Sequence, residues 1–261
     1  MRSRFALFSA ALVFTAMPLF AQATAPATTG KQPRPKSQKE VDALKKVQAD
    51  QQAQNWSQEI QDINSVLENF ADTDYKAMLL NMAMDAAQKQ GDYGQTVAYG
   101  DQLIQGDPND IIARVTLAQA IARHIRENDL DKDQEIKKVQ GYANKALDLI
   151  KNNAPAPPGI SADQWAPYEK QLEGEAHDAL GTAADLGKNY AAAVTEYQAA
   201  YTAFPNPIIL THVAKAYLDN KQYDDAISTA EKVLADSSAS AQIKQLAQQQ
   251  KDAATKMKGT K

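Results

Sequence analysis

The sequence predicts an all-α protein: antiparallel helix hairpins stacked into a right-handed solenoid and closed by a capping helix. Three observations carry that expectation. Apolar and small residues recur at helical spacing through most of the chain. Short turn signals, Gly91-Asp92-Tyr93 and Gly187-Lys188-Asn189-Tyr190, split those runs into pairs. The pattern then recurs, with 33 residues from Tyr190 to Tyr223.

The elements follow in order. Arg2 and Arg4 precede the apolar run 5–20, which is followed by Ala21-Gln22-Ala23, with small alanines at the two positions a signal peptidase reads. That is the grammar of a secretory signal peptide over 1–23, cleaved after Ala23, with Ala25 as the competing end. The run is short for a membrane span and Pro18 interrupts it. Cysteine is absent, so no lipoprotein anchor, disulfide or thiolate site can form. Cleavage removes Arg2 and Arg4 and no acid, taking the net charge from -4 to -6. An acidic chain has no basic excess to hold a nucleic-acid backbone. The expectation is a periplasmic or secreted bacterial protein without a membrane span.

Residues 24–36 are polar and Pro-rich and read as a disordered linker. The stretch 37–73 reads as two helices of a degenerate repeat. Val41, Leu44 and Val47 give the first a thin apolar face, and Trp56 opens the second, which carries Ile60, Ile63, Val66 and Leu67. Residues 74–151 hold four helices, with Pro108 closing the first pair and a long polar connector at 127–135 inside the second. "NNAPAPPGI" at 152–160 is a Pro-rich break. Ser161 with Gln164 three residues on predicts a capped helix start. The stretch 161–238 holds two further hairpins, and 239–258 an amphipathic cap.

The clearest unit starts at Gly174. Leu180 and Gly181, then Tyr190, Ala193, Tyr197, Ala200 and Pro205, fall where a tetratricopeptide repeat (TPR) has its Leu-Gly pair, opening aromatic, small, aromatic, small and proline positions. The chain resembles that family over roughly 40–258. It departs at His177 and Ala184, where the family prefers aromatics, and at Thr96, where it prefers alanine. The packing logic is that small residues let helices approach and aromatics fill the gaps. Ala193→Leu should therefore overpack a crossing, whereas Ala254→Leu on the cap should cost much less.

The resemblance implies a groove lined by the first helix of each unit. Its lining by register is Met78, Asn81, Asp85 and Gln88; Ile112, Val115, Gln119 and Ala122; Glu175, Asp178, Thr182 and Asp185; and Ile208, Thr211, Lys215 and Leu218. Nine of the polar members, Asn81, Asp85, Gln88, Gln119, Asp178, Thr182, Asp185, Thr211 and Lys215, are the candidate partner-binding residues. Some relatives hold a C-terminal carboxylate with Lys and Asn at two of these positions. That pair is not reproduced here, so a protein or peptide with some basic character fits better.

Signals for chemistry are weak. Asp129, Asp131 and Asp133 have the spacing of calcium-loop ligands, but Gln134 and Gln140 stand where a glycine and a bidentate acid are needed. Those acids read as a connector that begins the next helix. His124, His177 and His212 form no metal-binding pair and read as half-buried packing residues. Glu173 and Glu175, two apart on a helix, point to different faces. Neither a Gly-rich phosphate loop nor a Gly-x-Ser-x-Gly elbow occurs. The expectation is a non-catalytic scaffold or adaptor of a cell-envelope complex, without cofactor or metal. A self-associating envelope factor is the alternative, and an exported hydrolase comes last.

Overall fold

The computed structural model describes residues 33–157 and 160–260. The signal peptide and most of the linker lie outside the described residues, as do Pro158 and Gly159 of the Pro-rich break. Among the described residues there are eleven helices and no strand.

The first hairpin pairs α1 (Gln38–Gln52) with α2 (Trp56–Asn69). Ser37 caps α1 by accepting the Glu40 N–H. Glu40 is 1% exposed and accepts from the Thr73 hydroxyl at 2.6 Å and the Lys36 N–H at 2.6 Å. Tyr75 Oη donates to the Pro33 carbonyl. Residues 33–36, the tail of the expected linker, thus lie against the loop that follows α2.

The second hairpin pairs α3 (Lys76–Gln90) with α4 (Tyr93–Gly106). Gly91 ends α3 with φ +73°, a left-handed cap that costs glycine little, and Asp92 caps α4. The third pairs α5 (Ile111–His124) with α6 (Lys132–Lys151). The connector spans 125–131, so the last residues expected in it, 132–135, are already helix. Asp133 and Glu135 sit in the first turn of α6, where the helix dipole favours acids.

The fourth hairpin pairs α7 (Ala162–Leu186) with α8 (Tyr190–Ala203). Ser161 and Gln164 form the expected capping box. The fifth pairs α9 (Pro207–Asp219) with α10 (Tyr223–Ala235), and α11 (Ala241–Lys258) packs on both. Each helix packs on the next along the chain, and α5 also packs on α7. That nearest-neighbour pattern is how a solenoid buries faces that single hairpins leave open.

Close approach explains the glycines and alanines. A Cβ at Gly181 would stand 2.6 Å from the Tyr197 ring, and one at Gly174 would stand 2.6 Å from Phe204 Cβ. Ala193, Ala200, Ala214 and Ala230 are fully buried. The expectation for Ala254 needs correcting, since it too is fully buried. The reason is that α11 presents Ala247, Gln250 and Ala254 to the array, so the cap is as tightly seated there as any inner crossing.

Candidate partner-binding face

The first helices α3, α5, α7 and α9 carry the candidate residues. On α3, Asp85 pairs with Lys89, whose Nζ lies 4.2 Å from the centre of the Trp56 ring. The pair therefore straps α3 to α2. Asn81 donates to the Ala77 carbonyl at 3.1 Å, and no donor among the described residues reaches its buried Oδ1. Gln88 and, on α5, Gln119 are half-buried.

Tyr168, on the first turns of α7, is not among the residues that the repeat register selects. Its hydroxyl is held well above the ordinary phenol range by burial and by the charges of Glu175, Asp85 and Asp110. Those acids come from α7, α3 and the cap of α5, so three helices converge there. Asp110 caps α5 through the Ala113 N–H at 2.9 Å, yet burial lifts its carboxyl above the usual range. Glu175 is raised likewise by burial, although Gln171 and Arg123 pull it down. The sequence holds one signal for this cluster: the apolar and aromatic spacing of Trp165, Tyr168 and Leu172 continues the helix ahead of Gly174. A repeat unit that begins at Gly174 leaves those turns out.

A second network joins α7 to α9. Asp178 Oδ1 lies 2.6 Å from His212 Nδ1. Burial would depress the His212 imidazole, but the Asp178 carboxylate outweighs it and raises it. Thr182 donates to the Asp178 carbonyl at 3.0 Å, so the Tyr197 hydroxyl, 3.1 Å away, donates to Thr182. Lys215 bridges Asp185 at 2.9 Å and Asp219 at 2.6 Å. The other Asp185 oxygen is buried, and no donor among the described residues reaches it.

Thr211 does not belong to this face. It is 1% exposed, its hydroxyl donates to the Ile208 carbonyl, and its own carbonyl accepts from Gln250 of the cap at 3.1 Å. The register put it in the groove, but α11 covers it. Val115 and Ala122 are likewise buried, in the core shared by α5, α6 and α7.

His177 and His212 are half-buried as expected, but His124 is exposed. His124 stacks flat on Tyr93 at 3.7 Å, and His177 Nδ1 meets Glu196 at 2.8 Å. Asp129 accepts the Arg126 N–H within the connector turn. Among the described residues no three His, Asp or Glu side chains converge as metal ligands would.

No protein-family model matches the chain, and no curated protein does. Solved structures do. A thermophilic TPR protein of Thermus thermophilus superposes with a TM-score of 0.51 at 15% identity, over 81% of this chain and 98% of that one. A double mutant of MamA RS-1 superposes with a TM-score of 0.57 at 14% identity, over 83% of this chain and 98% of that one. The chain has the fold of TPR proteins, an all-α solenoid of helix hairpins.

Proposed function

We propose that the protein is a non-catalytic, exported scaffold that holds a basic segment of a protein partner against the first-helix face, within a cell-envelope complex. The reading rests chiefly on one observation. Acids gather on this face from three helices, with Asp85 on α3, Asp110 capping α5, and Glu175, Asp178 and Asp185 on α7. A basic partner segment complements them. Asp110 and Glu175 add to the preference, because both are raised by burial that a bound cation would offset. Export and the envelope setting rest on the sequence grammar of residues 1–23.

The test is capture from an envelope extract with a bait spanning 24–261, beside Asp85→Arg/Gln119→Arg. Neither change touches the α7–α9 network, and circular dichroism checks that both baits stay helical. A partner kept by the wild type and lost by the variant supports the reading. Identical partners from both baits would move the contact off this face. Self-association without a partner would favour the assembly-factor alternative.

A further inference from the structure

Each second helix opened by an aromatic has a crowded third position after it. Following Trp56, Tyr93, Tyr190 and Tyr223 come Glu59, Thr96, Ala193 and Ala226. All four are buried, at 1%, 2%, 0% and 0% exposed. Alanine fits such a crossing without a polar atom. Thr96 fits because its hydroxyl donates to the Asp92 carbonyl at 2.8 Å. Glu59 alone places a titratable group there, and no donor among the described residues reaches its buried Oε2.

The surroundings sharpen the problem. From α1 the facing charge is Asp50, itself raised by burial and by a hydrogen bond with Asp62 of α2. From α3 the facing charges are Asp85 and Lys89. Lys89 is already engaged by Asp85 and by the Trp56 ring. An ionised Glu59 would therefore meet mainly like charge and apolar packing.

We propose that Glu59 is a proton-operated wedge: neutral, it lets the α1–α2 hairpin close on α3, and ionised, it loosens that hairpin from the array. The hairpin is suited to such movement. Within residues 33–260 it stands first, joined to the rest mainly through the packing of α2 on α3, with the Asn64–Tyr99 bond to α4 and the bonds of Pro33 and Glu40 to Tyr75 and Thr73 beside it, so opening it disturbs one end of the array only. Because Asp85 and Lys89 face the wedge, its movement also reshapes the first part of the proposed binding face. The wedge itself stands whether or not that face binds a partner.

The direction follows from linkage. Burial first, then Asp85 and Asp50, push the carboxyl up to about 7, from 4.5 when free, against the pull of Lys89. Opening releases the proton, so the closed state is fully stabilised below about 4.5 and loses stability as pH rises toward 7. The opening constant should grow on the order of a hundredfold across that window.

Amide hydrogen exchange on the full chain at pH 5.5 and pH 8, corrected for intrinsic rates, tests this. The expected result is roughly a thirtyfold loss of protection in α1 and α2 at the higher pH, apart from the separate change in α7 to α9 as His212 loses its proton. Glu59→Gln should abolish the pH dependence. Glu59→Ala, which installs the side chain of Ala193 and Ala226, should do the same and serves if the amide variant folds poorly. A wild type that is flat with pH would overturn the proposal, as would a pH dependence surviving in both variants.

Discussion

Ala193 sits with no exposed surface where α7 and α8 cross, one turn from the Tyr197 ring that touches Gly181. The added carbons of a leucine have nowhere to go, so Ala193→Leu should cost about 1–3 kcal/mol in thermal denaturation. Ala191→Leu, on the exposed side of the same helix, should change stability by less than about 0.5 kcal/mol. This replaces Ala254 as the control. The His212–Asp178 pair makes a second residue-scale prediction. A raised imidazole stabilises the fold at low pH, and that contribution fades as pH climbs through the raised value. In Asp178→Asn the burial and the nearby Arg123 and Lys215 remain, so the His212 midpoint should fall below the ordinary 6.5. Imidazole proton resonances would report it; a midpoint left unchanged would show that Asp178 does not set the His212 charge. The small-aromatic spacing was legible in the sequence because packing dictates it. The His212 partner was not, since 34 residues separate Asp178 from His212 and only the repeat register brings them together.

Helix lengths carry a different lesson. Most hairpin helices run 13 to 15 residues, but α7 runs 25. Its additional turns bring Trp165 and Leu172 into the core with Val115 and Ala118, and bring Tyr168 among acids of three helices. Sequence spacing located the helix start through Ser161 and Gln164, because a capping box is local chemistry. It could not say that the early turns shape the proposed binding face, because that depends on how α7 packs on α5 and brings Tyr168 near the acid of α3. The cap poses the converse case. Its polar composition suggested a loose cover, yet Gln250 reaches the Thr211 carbonyl and Ala247 joins the core of α8 to α10. Deleting 240–261 should uncover that core. A loss of about 3–5 kcal/mol would lower Tm by roughly 10 °C, with self-association of the exposed face. Calorimetry with light scattering would read both; an unaltered Tm would show that α11 is dispensable.

At the scale of the molecule, successive hairpins repeat one face, and the acids on that face accumulate from Asp85 through Asp110 and Glu175 to Asp178 and Asp185. Only Lys89, Arg123 and Lys215 offset them in the interactions described, and two of these are already bonded to acids. Of the nine candidate residues that register placed on the face, Thr211 is the one the cap removes. Tyr168 and Asp110 are what register could not supply. The central claim is that this face, not the backs of the second helices, holds the partner. Photo-crosslinking in living cells tests it most directly, with a photoreactive residue at Gln119 on the face or at exposed Lys145 on α6. A partner held on the face should give a discrete adduct from position 119 and none from 145. Adducts from 145 with none from 119 would contradict the claim.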